Sequence, residues 1–269
     1  HNWGYDAVLP FAPAASYGHP DDLKNLIQSA HHKGLMVLLD LSCHYFGPEG
    51  NYLSVYAGAF FRGGATGLAG SSIDAAQPLV RDFVIHNALY WLEEYHLDGL
   101  RLDSALLQEH AGQTELLEAL ACAVREGPGK ERQCHLILGH DRRAARFVHW
   151  HDHSNPRQYE AVWNDAAQQA MQEVLTGETA GVAGSERPLD QLGAALSRGF
   201  ATGGSDSLLP TAFVNFLQDH ARIGSRALGE RLHQLVPPRA LGAMVATTLL
   251  APMPPALFMG EEFAAAQPF

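Results

Sequence analysis

Arg101 and Asp103 stand two residues apart in the run Asp98-Gly99-Leu100-Arg101-Leu102-Asp103. On a strand, alternate positions share a face, so both side chains project the same way. The run follows a helical pattern and ends in small residues, which places Asp103 at the strand's C-terminal end. Parallel α/β barrels carry out their chemistry at that end. A carboxylate beside a permanently charged guanidinium stays ionised, a state suited to a nucleophile or an electrostatic stabiliser. The same pair would also serve as a buried structural ion pair, so its role turns on partners elsewhere in the chain.

The elements that must hold such a site alternate between strand and helix. Pro20–Lys33 reads as a helix with Leu23, Leu26, Ile27 and Ala30 on one face and Gly34 as its stop. The apolar run Leu35–Leu41 reads as a strand buried on both faces. Helices are expected at Leu79–Tyr95, Thr114–Arg125, Asp165–Leu175, Leu189–Leu196 and Ala240–Leu250. Further strands are expected at Gly99–Asp103, His135–Leu138, Tyr159–Trp163, Thr211–Leu217 and Ala256–Met259. The Gly- and Ala-rich stretches Gly63–Ser72 and Ala180–Ser185 read as loops. The strand–helix order implies a parallel sheet with right-handed crossovers. Six strands do not close an eight-stranded barrel. The expectation is therefore an incomplete (β/α)8 barrel, a single partial domain over residues 1–269.

Composition narrows the function classes. The 269 residues suit one (β/α)8 barrel or two smaller domains, and 46% hydrophobic with 17% charged residues is a globular balance. The net charge is −11 and no Lys/Arg cluster interrupts it, which argues against nucleic acid and anionic membranes as partners. A neutral sugar is compatible with it. No apolar stretch reaches the roughly 20 residues of a membrane-spanning helix. Cys43, Cys122 and Cys134 are odd in number and far apart, without disulfide or metal-ligand spacing, so a reducing cytoplasm is expected. His149-Trp150-His151-Asp152-His153 has a metal-like look, but a polar loop before Asn155-Pro156 explains it more simply. No cofactor or metal is expected.

A set of longer blocks then carries a resemblance. They begin with His1–Asp6, Tyr17-Gly18, Pro20-Asp21-Asp22-Leu23 and Phe46-Gly47-Pro48-Glu49-Gly50-Asn51-Tyr52. Tyr90-Trp91-Leu92, Asp98–Asp103, Trp163-Asn164-Asp165 and Leu175-Thr176-Gly177-Glu178 follow. The last are Thr211–Gln218, Ile223-Gly224, Arg226–Leu232 and Phe258–Phe263. In this order they resemble the maltooligosyltrehalose trehalohydrolases, a family of the α-amylase superfamily of retaining glycoside hydrolases. The resemblance implies a (β/α)8 barrel in which this chain carries strands three to eight. The first two strands and the N- and C-terminal β domains of the family would be absent. It also implies a malto-oligosaccharide or maltooligosyl-trehalose substrate, and a possible partner supplying the missing strands.

Carried over residue by residue, the resemblance places Asp103 at the nucleophile position and Arg101 at the position that orients it. The acid/base carboxylate would follow His135–Leu138, where this chain has Gly139, with His140 and Asp141 beyond it. The stabilising Asp would follow Phe216-Leu217-Gln218 in an Asn-His-Asp triplet, which here reads Asp219-His220-Ala221. An Asn-His pair expected before Phe46 is His44-Tyr45, and further polar positions of the family are Leu106, Ala166, Gln168 and Gln169. Tyr5, Asp40, Tyr45 and His220 remain as substrate-binding candidates. Asp40 also suits structural hydrogen bonding, and Trp3 and Tyr52 suit ordinary loop packing.

Retaining hydrolysis needs two carboxyls, one attacking and one donating a proton to the leaving group. Glycine carries no proton, and loss of a general acid costs about 10²–10⁴ in rate. The expectation is a trehalohydrolase-type site with impaired or absent catalysis. The alternative is a non-catalytic protein that binds α-glucan on the same scaffold.

Overall fold

A computed structural model of the chain describes residues 3–62, 72–103, 111–139, 142–148, 150–152, 155–156, 158–178, 187–198 and 208–269. Leu106, His140, Asp141, His149 and His153 lie outside the described residues, as do 63–71 and 180–185 of the two expected loops. The chain forms two compact units, His1–Glu160 and Ala161–Phe269.

The first unit contains α1 (Pro20–His32), β1 (Leu38–Leu41), the short α2 (Leu53–Tyr56), α3 (Pro78–Glu94), β2 (Gly99–Leu102), α4 (Gln113–Glu126) and β3 (His135–Leu138). Two short strands follow, β4 (Trp150–Asp152) and β5 (Asn155–Pro156). Strands β1, β2 and β3 are parallel neighbours, with Leu38 opposite Gly99 and Gly99 opposite His135. Gly99 is required at that start, because a Cβ there would meet the His135 carbonyl oxygen at 2.3 Å. Leu100, Leu102, Leu136 and Leu138 are fully buried, and α3 and α4 supply Val84, Ala88, Leu92, Leu116 and Leu120 to the same core. The alternate row leaves Arg101, Asp103, His135 and Ile137 only half-buried. One row of the sheet therefore builds the core and the other is left for the site.

Strand β1 is shorter and wetter than its sequence suggests. Leu35 and Met36 are exposed and precede the strand, and Leu38 and Leu39 are half-buried. The reason is topological: among the described residues β1 has a neighbour, β2, on one side only. Leu26 of α1 is likewise exposed, while Ile27 beside it is buried. A loop ahead of α1 is pinned to α3, since the Pro10 carbonyl accepts hydrogen bonds from Asn87 Nδ2 and Trp91 Nε1, both at 2.8 Å.

The second unit contains β6 (Ala161–Trp163), α5 (Asp165–Thr176), α6 (Pro188–Arg198), β7 (Phe213–Phe216), the short α7 (His220–Gly224) and α8 (Leu232–Leu235), α9 (Pro238–Leu250) and β8 (Pro255–Ala256). Strands β6, β7 and β8 are parallel neighbours in that order. Ala167, Ala170, Met171, Leu192, Ala195, Leu217, Leu232 and Met244 form its core. Asn164 begins α5 by accepting from the Ala167 amide at 3.1 Å, and its Nδ2 reaches Asn215 Oδ1 on β7 at 2.8 Å. The expected strand–helix alternation is therefore present in both units, the order of an α/β barrel with six of its strands.

Candidate active site

The register of the first unit assembles the site. Asp40 on β1 lies opposite Arg101 on β2, and Arg101 opposite Ile137 on β3. Carried two residues further, the same row brings Ser42, Asp103 and Gly139 to the strands' C-terminal ends. Gly139 is held there by its amide, which donates to the Leu102 carbonyl at 2.6 Å. Gly139, with no side chain, thus stands beside Asp103.

Arg101 Nη1 donates to Asp40 Oδ2 at 3.1 Å, and Tyr5 Oη donates to the same oxygen at 2.6 Å. Arg101 therefore holds Asp40 through the cross-strand register, a bond the spacing to Asp103 did not reveal. Burial and then the Asp40 carboxylate push the Tyr5 hydroxyl well above the usual tyrosine range, so it stays a donor. Asp40 accordingly has a structural role among these residues, bridging a strand and the first loop.

His44 Nδ1 lies 3.9 Å from Asp103 Oδ2 and 3.5 Å from Ser42 Oγ. Serine and aspartate approach the same ring nitrogen, so Ser42, His44 and Asp103 form no Ser–His–Asp relay. The His44 ring packs on Tyr45 at 4.4 Å between centroids. Tyr45 in turn donates to Asp6 Oδ1 at 2.7 Å, and burial together with that bond pushes its hydroxyl up to about 12. Burial, with Asp103 next, pushes the Cys43 thiol up to about 12, so Cys43 is no thiolate nucleophile at neutral pH. Trp3 and Tyr52 are 43% and 71% exposed.

His44 sets a pH dependence. Burial lowers its pKa from 6.5, and Asp103 only partly offsets this. The unfolded chain takes up a proton as pH falls through 6.5, whereas the folded chain resists until lower pH. Stability is therefore complete above that value and lost on acidification through the window below it. His44→Gln removes this component, so its thermal midpoint falls less than that of the parent between about pH 7.5 and about pH 5. An equal fall in both proteins excludes His44 as the source.

The second unit carries the other sequence candidates. Asp219 caps α7, accepting from the Arg222 amide at 2.7 Å. This is its commitment, in place of the ligand role of an Asn-His-Asp triplet. His220 and Ala221 occupy the first turn of that helix, both half-buried. Gln218 Oε1 accepts from the Leu232 amide at 2.8 Å, and Gln168 Nε2 donates to the Leu217 carbonyl at 3.1 Å. Glu178 and Arg226 form a two-pronged ion pair at 2.8 and 2.9 Å. Both belong to blocks that carried the resemblance, yet 48 residues of separation hid the pairing. Among the described residues, no group of three or more His, Cys, Asp or Glu could hold a metal ion, and no helix is long and apolar enough to cross a membrane.

This geometry places an aspartate at the C-terminal end of a parallel strand, with hydroxyl and imidazole groups around it. No family model matches the chain. Its sequence is 37% identical to a malto-oligosyltrehalose trehalohydrolase from Deinococcus radiodurans, covering 99% of this chain and 46% of that protein. It is 34% identical to one from Arthrobacter ramosus, covering 100% and 50%, and 31% identical to one from Saccharolobus solfataricus, covering 100% and 49%. A crystal structure of an amylase-type protein from Salmonella typhimurium matches with a TM-score of 0.90 and 38% identity, over 100% of this chain and 48% of that one. A maltogenic alpha-amylase from Thermotoga neapolitana shares the fold at a TM-score of 0.68 and 15% identity. The chain spans about half the length of the curated relatives it matches. Along its whole length it belongs to the malto-oligosyltrehalose trehalohydrolase family of α-amylase-type barrels.

Proposed function

We propose that this chain carries a malto-oligosaccharide site of the trehalohydrolase type in which cleavage of maltooligosyl-trehalose is strongly impaired. Asp103 is the attacking carboxylate, with Arg101 and Asp40 fixing the strand ends around it. Tyr5, Tyr45 and His220 are the sugar-facing candidates, and Ala221 marks a second position where a carboxylate is missing. The observation that carries the reading is Gly139, held beside Asp103 by its 2.6 Å amide bond to Leu102. An attacking carboxylate without a neighbouring acid can reach the anomeric carbon, but a sugar leaving group then departs unprotonated. The three cysteines are free thiols, which is consistent with a reducing cytoplasm.

A cleft of about 640 Å³ is lined by Leu39–Leu41 of β1, by Ser42 and by residues of the loop from Gly4 to Ala15.

Trehalose released from maltooligosyl-trehalose, together with calorimetric binding of malto-oligosaccharide, tests the reading. The expected result is binding with trehalose release about 10²-fold or more below that of a full-length relative. Release at a relative's rate would refute the impairment. Binding with no release at all favours the second reading, a glucan-binding protein, which rests on the same missing side chain.

A further inference from the structure

Three segments of the first unit meet at one buried side chain, Asn87, around a cavity of about 20 Å³. The first loop reaches it with Pro10, the segment after β1 with Ser42 and Cys43, and α3 with Val84 and Asn87. Most of the remaining wall is apolar, with Phe46 and Phe83 on it.

Asn87 is 1% exposed, so both ends of its amide need partners away from bulk solvent. Its Nδ2 donates to the Pro10 carbonyl at 2.8 Å. The same carbonyl takes Trp91 Nε1 at 2.8 Å and has no proton of its own to give. Turned round, the Asn87 amide would set Oδ1 against that carbonyl, acceptor against acceptor. Oδ1 therefore points away from Pro10, and it has no hydrogen-bond partner among the described residues. A buried acceptor left unmet costs more than an ordinary hydrogen bond contributes.

Size and chemistry select what meets it. About 20 Å³ exceeds the roughly 10–15 Å³ that one water needs, and it is far below what a sugar or cofactor fills. A purely apolar cavity stays dry, but one with an unmet acceptor and further polar groups holds water. Ser42 brings a hydroxyl to the wall and Cys43 a thiol. The thiol keeps its proton, because burial pushes it up to about 12.

We infer that this cavity binds one ordered water, which donates to Asn87 Oδ1 and completes its bonds on the Ser42–Cys43 side. The water joins α3 to the segment whose His44 approaches Asp103 to 3.9 Å. Its presence does not depend on glycoside cleavage.

A crystal structure of the 269-residue chain that shows ordered water tests this. The expected result is one water in the cavity, about 2.7–3.2 Å from Asn87 Oδ1. In Asn87→Leu that water is lost, since leucine keeps the bulk without the acceptor. Val84→Ile gives an independent reading in solution and leaves Asn87 intact. Its added methyl would fill a dry cavity and raise the thermal midpoint. Here it displaces the donor to Oδ1, so the midpoint falls by about 2 °C or more. No water in the cavity of the parent, Oδ1 turned onto a protein donor, or a raised midpoint in Val84→Ile overturns the inference.

Discussion

Gly139→Glu raises trehalose release from maltooligosyl-trehalose by about 10²-fold or more, the return expected from restoring a general acid. Register supplies the geometry. Residue 139 follows β3 on the row that contains His135 and Ile137, and this row faces Arg101 and its neighbour Asp103 on β2. Adjacent strands run about 4.8 Å apart, and retaining glycosidases hold their two carboxyls about 5–5.5 Å apart. A glutamate at 139 therefore starts from a backbone already at the required spacing. Gly139 is buried, so the new side chain must find room. A cooperative thermal transition in the variant separates misfolding from a failure of chemistry. A folded Gly139→Glu protein no more active than its parent would mean that position 139 is not where the proton is delivered.

Asp103→Asn has the second large effect, and α-glucosyl fluoride exposes it best. Fluoride leaves without a proton, so the parent can glycosylate Asp103 and turn this substrate over slowly despite Gly139. Asparagine keeps the shape of the side chain but lacks the anionic oxygen that attacks C1. Fluoride release should fall by about 10³-fold or more, in line with the loss of a nucleophile acting with its surroundings. His44, 3.9 Å away, does not replace it, because burial keeps its imidazole neutral and Ser42 shares the same ring nitrogen. Retained fluoride release in Asp103→Asn would move the attacking group elsewhere. Paired with the first variant, this measurement separates a missing acid from a missing nucleophile.

Much of the first unit was legible because its signals are local. The two-residue period of Gly99–Asp103 correctly gave Arg101 and Asp103 one face, and the helices α1, α3 and α4 start and stop within a residue or two of their expected bounds. The strand signal failed where solvent intervened. Leu35–Leu41 reads as buried because apolar residues follow one another, yet Leu35 and Met36 are exposed. Burial depends on what stands on the far side of a strand, and β1 has a described neighbour on one side only.

The site divides in the same way. Residue identity along the chain was enough for family membership, since that is a property of short ordered blocks. Pairings between distant segments were not legible. Arg101 with Asp40 spans 61 residues, Tyr45 with Asp6 spans 39 and Arg226 with Glu178 spans 48. A strand's period says which face a side chain takes, but register with the neighbouring strand decides which charge it meets. Register is a long-range property set by the packed sheet. For that reason Arg101, expected to serve Asp103, also holds Asp40.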